Sequence, residues 1–493
     1  MKIQYPIRLF AGWLALVVTG PALAATGIEP PTDEALSHPE VRGALATVDA
    51  WLEGVRNYER IPGLSAGLVY GTDLVWQRGY GYSNLETEHP ADADTLYSIC
   101  SISKLFTSIA VMQLRDAGQL TLRDPVASRL EWFDIRQTHP ERGPITIESL
   151  LTHSSGLPRE SDFPYWNAPD FPFPTREAII ERLSDQETLY AAQDLFQYSN
   201  LALTLAGEIV QAVSGQPYAG YVQQRILDPL GLADTRPRYP DELRGKQLAV
   251  GYSGIHHDGV RHEVAPFFTR GITPAAGFTS SVRDLGRFAG WQFGLLEQGG
   301  GEVLDANTLR EMHRVHWMDP DWKTTWGLGF EVMRQHDMTF VGHGGGCPGY
   351  ITYFAMVPDK RMAAIVLTNA GDAPSQNAAI NLLRVFAKGL DGAKTPAAEA
   401  VPDLSRYEGN YEIRPWGGEL AVRQWGKNLV VFHLPSDNLV EAITRLQPVE
   451  GDRFVRLSDD DQPREPWVFQ DFEDGRATRI NVHSIFWNRI DGE

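Results

Sequence analysis

A serine and a lysine three positions apart, Ser101 and Lys104, are the first residues in the chain whose spacing suggests chemistry. A serine hydroxyl is a weak nucleophile at neutral pH and needs a base beside it. On a helix, this spacing places both side chains on one face, and burial lowers the proton affinity of an amine, which lets Lys104 act as the base. At a helix start the Ser101 N–H is free to bind a developing oxyanion. By itself, such a pair more often marks an ordinary solvated helix start.

A second candidate group, Tyr198-Ser199-Asn200, directly precedes an apolar helical pattern. A tyrosine can relay the serine proton if a neighbouring cation lowers its pKa. The Asn200 amide can hydrogen-bond both Lys104 and a substrate carbonyl. The alternative is structural, because a tyrosine beside an asparagine N-cap is common at helix starts.

The third group is His343-Gly344-Gly345-Gly346, just before a predicted strand. Glycines at a strand edge let a substrate backbone approach closely, and the Gly346 N–H can serve as a second oxyanion donor. Taken alone, such a run is more often a mobile glycine loop.

Other chemistries have weaker support. His256, His257 and His262 lie close together, but no acidic residue or cysteine stands at a recognisable ligand spacing, so a solvated hairpin is predicted there rather than a metal site. No phosphate-binding glycine loop is present, and no G-x-S-x-G motif surrounds Ser101. The sequence therefore predicts neither a metal nor a cofactor.

Together and in this order, the three motifs resemble those of the penicillin-recognising serine hydrolases. These include serine β-lactamases, D-Ala-D-Ala carboxypeptidases, D-aminopeptidases and family VIII esterases. The Tyr-x-Asn form of the second motif is similar to the class C β-lactamase-like branch, as are the stretches 145–158, 205–235 and 274–288. The resemblance spans 43–388.

The resemblance implies a role for each motif residue. It makes Ser101 the nucleophile, Lys104 and Tyr198 the proton-shuttling pair, and Asn200 an orienting amide. The oxyanion hole would be formed by the backbone N–H groups of Ser101 and Gly346. The remaining third-motif residues, which would orient substrate, are His343, Gly344 and Gly345.

His343 departs from the pattern of the β-lactamases, which usually carry a lysine there to hold the substrate carboxylate. A histidine is mostly neutral above a pKa of about 6.5, so we expect carboxylate binding that is weak, or stronger only at low pH. This favours a peptidase or esterase. The alternatives are a β-lactamase of modest activity and, in a different class, a non-catalytic receptor for peptidoglycan fragments or β-lactams.

The chain has two cysteines, Cys100 beside the serine and Cys347 just after the glycines. In the fold of the resembled group, the start of the nucleophile helix and the third-motif strand lie side by side. The resemblance therefore implies a Cys100–Cys347 disulfide that braces the oxyanion hole. The alternative is two reduced, buried thiols.

The elements around these motifs are predicted from periodicity. A β-hairpin is expected over 63–84, helices over 101–118 and 200–215, and two strands over 350–370. The resemblance implies an α/β, β-lactamase-like fold, with an antiparallel sheet flanked by helices, a mainly helical part, and the pocket between them.

Changes in composition divide the chain into five segments. Residues 1–24 are predicted to be a signal peptide, 25–42 an acidic lead-in, 43–388 the hydrolase domain and 389–404 a linker rich in Ala, Pro and Gly. In 405–493 the periodicity becomes two, and six to eight short strands predict a small antiparallel barrel or sandwich. This last segment resembles the lipocalin-like extensions of relatives.

The N-terminus predicts export to the periplasm or medium. Lys2 and Arg8 precede a short apolar run, and Ala22-Leu23-Ala24 fits a cleavage site; an uncleaved anchor is the alternative. We expect no membrane anchor in the mature chain. The net charge of −19 argues against nucleic acid as a partner, which leaves small molecules or peptides as substrates.

Overall fold

The computed structural model of the chain describes residues 33–395, 401–415 and 417–490. The predicted signal peptide 1–24 lies outside the described residues, as do 25–32 of the lead-in and 396–400 of the linker. The helices are α1 Asp33–Ser37, α2 Pro39–Tyr58, α3 Ser103–Asp116, α4 Ile147–Leu151, α5 Arg176–Glu181, α6 Asn200–Ser214, α7 Tyr218–Val222, α8 Thr273–Ala276, α9 Val282–Gln298, α10 Ala306–Met312, α11 Ser375–Ala393 and α12 Leu439–Ala442.

The strands alternate with these helices in the first part of the chain and follow one another in the last. They are β1 Gly63–Tyr70, β2 Asp73–Asn84, β3 His89–Pro90, β4 Tyr97–Cys100, β5 Phe278–Ser280, β6 Trp317–Met318, β7 Thr325–Trp326, β8 Glu331–Gln335, β9 Met338–Cys347, β10 Tyr350–Val357, β11 Met362–Thr368, β12 Gly409–Glu412, β13 Glu419–Trp425, β14 Asn428–Leu434, β15 Thr444–Pro448, β16 Arg453–Leu457, β17 Pro463–Glu473, β18 Arg476–Val482 and β19 Ile485–Ile490.

A nine-stranded antiparallel sheet organises the first part of the chain, in the order β3-β2-β1-β11-β10-β9-β8-β7-β6. All eight residues of β1 are buried, because helices cover both faces of the sheet. One face packs against α2 and α11, and the other packs against α9 and a mainly helical part that contains α3 and α6. The β-lactamase-like α/β fold predicted from the sequence is confirmed.

The short strand β4 pairs with β5 and leads directly into α3. The predicted helix over 101–118 begins two residues late, at Ser103, because the chain first makes a tight turn in which the Ile102 N–H donates to the Ile99 carbonyl. Cys100 sits at φ +48° in this turn, a conformation that non-glycine residues rarely adopt. Ser101 therefore occupies a turn between a strand and a helix, not the helix itself.

Strands β12–β19 form a closed eight-stranded barrel. Alternate side chains of its strands point inward into a core of its own and outward into the core beneath the large sheet. Ala421, Phe432 and Leu434 belong to the latter, together with residues of α2 and α11. At Gly43 of α2, a methyl group would lie 2.5 Å from the Trp425 Cα of β13, so this glycine allows the close approach. The barrel thus shares a hydrophobic core with the sheet and its helices.

Two predicted boundaries move because helices extend beyond them. Helix α2 begins at Pro39, inside the predicted lead-in, with the His38 ring accepting a hydrogen bond from the Glu40 N–H. Helix α11 continues to Ala393, five residues into the predicted linker. Gly389 there packs against α2, where a methyl group would lie 2.8 Å from Ala44 Cβ. Within the described residues, no helix combines the length and the apolar character needed to cross a membrane.

Candidate active site

Ser101 and Lys104 are brought together at the junction of β4 and α3. The lysine is fully buried, and its Nζ lies 3.0 Å from Ser101 Oγ. Ser101 itself is partly exposed. Within the described part of the chain, the Ser101 N–H has no backbone acceptor. The pair therefore has the geometry of a nucleophile beside a base, next to a free backbone donor.

The hydrogen-bond partners of Lys104 hold its amine in place beside the serine. Its Nζ donates to Asn200 Oδ1 at 2.7 Å and to the Ala275 carbonyl at 2.8 Å, two groups that can only accept. The third neighbour, the Ser101 hydroxyl, can accept from an ammonium or donate to a neutral amine. Burial lowers the pKa of Lys104 well below its ordinary value, which favours the neutral form.

Tyr198 completes the arrangement around the serine hydroxyl. Its ring lies 4.9 Å from Lys104 Nζ, and Ser101 is close enough to lower the pKa of its hydroxyl. Burial raises the pKa of Tyr198, and the hydrogen bond from Ser101 and the charge of Arg159 offset only part of this rise. The neighbouring cation considered in the sequence analysis is present and lowers the pKa of this tyrosine, but desolvation raises it by more, so the net shift is upward. Tyr198 is a neutral phenol at neutral pH.

Glu160 is a site residue that the sequence reasoning missed. The Asn200 Nδ2 donates to Glu160 Oε1 at 2.6 Å, which fixes the amide so that its oxygen faces Lys104. The Tyr165 hydroxyl donates to the other carboxylate oxygen. Asn200 is also the first residue of α6 and not its N-cap; the cap is Ser199, whose Oγ accepts from the Ala202 N–H at 2.9 Å. No local pattern around position 160 marks this role.

His153 was missed as well, although it lies in the stretch 145–158 that resembles the family. Its Nδ1 accepts from the Ser199 N–H at 3.0 Å, and its carbonyl accepts from the Gln197 N–H at 2.7 Å. The imidazole stacks on Tyr198 with 4.3 Å between ring centroids. His153, at φ +56°, therefore holds the backbone on both sides of Tyr198 and one face of its ring.

The third motif lies on β9, where successive residues face opposite sides of the sheet. Gly345 faces β4; a methyl group there would lie 2.2 Å from the Ile99 carbonyl oxygen. Gly344 and Gly346 face the other side, where the nearest side chains are Tyr353 and Ile351. The absence of a side chain at Gly345 thus lets the third motif lie close to the Ser101 turn. Gly344 faces away from that turn, so only its backbone groups can contact a substrate there.

His343 faces the same side as Gly345, with its ring 6.1 Å from that of Tyr198. Its Nδ1 is 2.5 Å from the Gly344 carbonyl. A carbonyl only accepts, so Nδ1 carries the proton and Nε2 presents a lone pair; Nε2 is buried and has no partner within the described residues. Burial, the largest cause, lowers the pKa of His343 to about 3. The side chain is therefore a neutral acceptor, and the expected gain of charge at mildly low pH does not occur.

A disulfide joins Cys100 and Cys347, with 5.8 Å between their Cα atoms and 247 residues between them along the chain. One cysteine immediately precedes Ser101 and the other follows the glycines. The bridge implied by the resemblance is present, and it ties the serine turn covalently to β9.

The three histidines at 256–262 lie in a loop away from these contacts. The ring centroids of His256 and His262 are 5.0 Å apart, and His262 Nε2 lies 3.5 Å from Asp258 Oδ2. Within the described part of the chain, no group of His, Cys, Asp or Glu residues is arranged to hold a metal ion.

Comparison with known proteins gives a consistent picture. A family model described as Beta-lactamase matches residues 48–387. Beta-lactamase-like protein 2 of Dictyostelium discoideum is 27% identical over 376 residues, covering 74% of this chain and 67% of that protein. The D-alanyl-D-alanine-carboxypeptidase/endopeptidase AmpH of Escherichia coli (strain K12) is 28% identical over 328 residues, covering 65% of this chain and 82% of that protein.

Solved structures show the same fold. The octameric penicillin-binding protein homologue from Pyrococcus abyssi superposes with a TM-score of 0.61 at 24% identity, covering 90% of this chain and 99% of that one. The D-amino acid amidase from Ochrobactrum anthropi SV3 has a TM-score of 0.58 at 24% identity, covering 71% and 99%.

Proposed function

Because the chain belongs to the β-lactamase family, we propose that it is an exported serine hydrolase that cleaves ester or amide bonds through an acyl-enzyme on Ser101. The substrate class that fits best is an ester or a peptide, not a β-lactam. The third-motif side chain, His343, is a neutral acceptor, and such a group repels the carboxylate that penicillins carry.

The observation that carries this proposal is the set of partners around Lys104 Nζ. Asn200 Oδ1 and the Ala275 carbonyl accept two of its N–H groups, and Ser101 Oγ lies 3.0 Å away in the remaining direction. When the amine is neutral, its lone pair therefore faces the Ser101 hydroxyl. Of the two candidate bases, the amine has a lowered pKa and the phenol a raised one. Lys104 is therefore the better suited of the two to act as the base, and Tyr198 is a proton donor.

Acylation then proceeds in a defined order. The Ser101 oxygen bonds to the substrate carbonyl carbon while its proton moves to Lys104 Nζ. The carbonyl oxygen becomes an oxyanion held by the N–H groups of Ser101 and Gly346. As the tetrahedral intermediate collapses, the leaving group takes the Tyr198 proton, and Lys104 returns a proton to Tyr198.

Deacylation reverses these roles with water in place of the leaving group. A water molecule gives its proton to Lys104, directly or through Tyr198, and its oxygen bonds to the acyl carbon. The bond between the Ser101 oxygen and the acyl carbon breaks, and that oxygen takes the proton back from Lys104. The lysine thus ends each cycle neutral, as it began.

The test is intact-protein mass spectrometry after incubation with a fluorophosphonate, a fluorescent penicillin and p-nitrophenyl butyrate in parallel, with nitrophenol release followed by absorbance. We expect a fluorophosphonate adduct on Ser101, rapid ester turnover and slow penicillin acylation. Ser101→Ala should lose the adduct and the turnover while keeping its circular dichroism spectrum. Unchanged ester turnover in Ser101→Ala would refute the assignment.

The other outcomes separate the alternatives. Rapid penicillin hydrolysis would identify a β-lactamase. A single burst of penicillin acylation without turnover would identify a receptor. The absence of any adduct on folded protein would refute the hydrolase proposal altogether.

Export is supported by the Cys100–Cys347 disulfide, because disulfides persist in oxidising compartments. Expression of the full chain in a Gram-negative bacterium, followed by fractionation and intact mass, tests it. We expect periplasmic or secreted protein that begins after Ala24. Retention of the full-length chain in the cytoplasm would refute export.

A further inference from the structure

One side of the reaction centre is lined by a row of uncharged rings. The Trp326 ring centroid lies 6.1 Å from that of Tyr198 and 5.5 Å from that of His343. On the side of Trp326 away from the serine, the Phe196 ring follows at 5.3 Å. Burial keeps the His343 imidazole neutral. The row therefore leads from the Tyr198 phenol outward to Phe196, and none of its rings carries a charge.

Two loops continue this row toward the surface, and Asp319 joins them. Its Oδ1 accepts from the Phe196 N–H at 3.2 Å and from the indole N–H of Trp317 at 2.9 Å. Its carbonyl accepts from the Trp322 N–H at 2.9 Å, which closes a turn over 319–322. The Asp319 carboxylate thus holds this turn against the backbone at Phe196.

The two joined loops carry apolar side chains that face solvent. Trp322 is 75% exposed, Met318 40% and Leu195 39%; we call these three side chains the apolar rim. Among the large hydrophobic residues in the described part of the chain, Trp322 has the highest exposed fraction. Single exposed apolar residues are ordinary, but a group of them beside a site marks a surface that binds a ligand.

The occupant of the apolar rim follows from its continuity with the reaction centre. Leu195 directly precedes Phe196, and Met318 directly precedes Asp319, so the rim begins where the row of rings ends. A membrane surface is another common partner of exposed tryptophan, but the net charge of −19 opposes docking on anionic lipid. The rim is therefore placed to receive part of the substrate.

We propose that the apolar rim binds an extended apolar group of the substrate while the adjoining ester or amide is cleaved at Ser101. This inference rests on the proposed function and narrows it to substrates that carry an aliphatic chain or an aromatic group. A short chain ends among the inner rings, whereas a longer one reaches Trp322. Each methylene that is fully withdrawn from water strengthens binding by about fourfold.

The experiment varies chain length on each side of the scissile bond. On the acyl side, the substrates are p-nitrophenyl butyrate and p-nitrophenyl octanoate. On the alcohol side, they are butyl acetate and octyl acetate, with acid release followed at constant pH. All are used below the concentrations at which they form micelles. The readout in each series is the ratio of kcat/KM for the long ester to that for the short one.

In the wild-type protein we expect this ratio to reach about tenfold or more in at least one series, because four added methylenes would be partly withdrawn from water. In Trp322→Ala we expect that ratio to fall by about tenfold, as about two methylenes return to water. Trp322→Phe should retain most of the ratio, since it keeps an aromatic ring.

Asp319 provides a second pair of variants. Asp319→Ala releases the turn that carries Trp322 and should lower the same ratio. Asp319→Asn retains the Oδ1 acceptor for the Phe196 N–H and should preserve it.

Phe486→Ala is the matched control. Phe486 is also an exposed aromatic residue, at 44%, but it lies on β19 of the barrel. Its replacement removes a comparable exposed ring and should leave the ratio unchanged.

Ratios near one in both wild-type series, an unchanged ratio in Trp322→Ala, or an equal fall in Phe486→Ala would each overturn the assignment of the apolar rim. Binding to phosphatidylglycerol vesicles that is lost in Trp322→Ala would overturn it as well, in favour of a membrane contact. Failure of the proposed function looks different: the wild-type protein would hydrolyse none of the four esters, and fluorophosphonate would not label Ser101.

Discussion

Gly345 gives the sharpest test of how the third motif is held against the serine turn. In Gly345→Ala the new methyl carbon would lie 2.2 Å from the Ile99 carbonyl oxygen and 2.3 Å from Thr352 Oγ1. The hydroxyl can rotate away, but the carbonyl belongs to the backbone just before Cys100 and Ser101. Relief to a tolerable contact of 3.0 Å requires β4 and β9 to separate by about 0.8 Å, and displacements of about 1 Å can lower rates by about 100-fold.

We therefore expect kcat/KM for p-nitrophenyl butyrate to fall by about 100-fold in Gly345→Ala, with a loss of about 1–3 kcal/mol in the free energy of unfolding from overpacking. The loss of rate should be mainly in kcat, since the change displaces the oxyanion donors. Urea unfolding and steady-state kinetics measure the two effects separately.

Gly346→Ala is the matched control in the neighbouring residue. Its methyl group would point to the opposite side of β9, with Ile351 Cδ1 as the nearest atom at 3.4 Å, and the backbone N–H would remain. We expect its unfolding free energy to stay within about 0.5 kcal/mol of wild type and its activity to fall far less. Equal kcat/KM in the two folded variants, within about threefold, would refute the reasoning, because a displacement of catalytic groups would then have no kinetic effect.

Three further predictions concern the residues around this turn. Glu160→Gln removes a negative charge that raises the pKa of Lys104, so that pKa should fall and the acidic limb of the pH profile of kcat/KM should move to lower pH; a shift to higher pH would contradict the sign. His153→Phe loses the acceptor for the Ser199 N–H and should lower kcat by about tenfold. His153→Asn is the control, because asparagine retains an acceptor and tolerates a positive φ. Equal losses of kcat in the two variants would argue against a role of His153 in positioning Tyr198. The double variant Cys100→Ser/Cys347→Ser should have a free energy of unfolding about 2–5 kcal/mol lower than wild type. Wild-type protein in reductant should show the same decrease. Equal urea midpoints with and without the disulfide would rule out a bracing role.

The parts of this structure that sequence predicts well are those set by local patterns. The hairpin over 63–84 and the strands over 350–370 follow from short apolar runs and their turn residues. The approach of Ser101 to Lys104 follows from helical spacing, even though the helix begins two residues late. The resemblance of the three motifs, in their order along the chain, to those of the penicillin-recognising serine hydrolases then predicted the overall fold.

The features that sequence did not predict depend on contacts between distant segments. Asn200 meets Glu160 across 40 residues, and Ser199 meets His153 across 46; nothing in either segment marks its partner. The sign of the Tyr198 pKa shift was also inaccessible, because it depends on how deeply the ring is buried. The predicted end of α11 came too early because Gly389 has the composition expected of a linker. In the structure the same glycine allows α11 to pack closely against α2.

Helix α2 has consequences for how this chain can change over generations. It contributes to the core beneath the large sheet and also receives the outer face of the barrel, and the indole N–H of its Trp51 donates to the Ser436 carbonyl at 2.8 Å. A lineage that lost the barrel would leave this helix with a water-exposed apolar face and an unpaired indole. Such a loss would be viable only with compensating polar substitutions along α2. The barrel and the hydrolase domain thus depend on one shared hydrophobic core, and we expect proteins truncated before the barrel to lose solubility before any effect on catalysis can be measured.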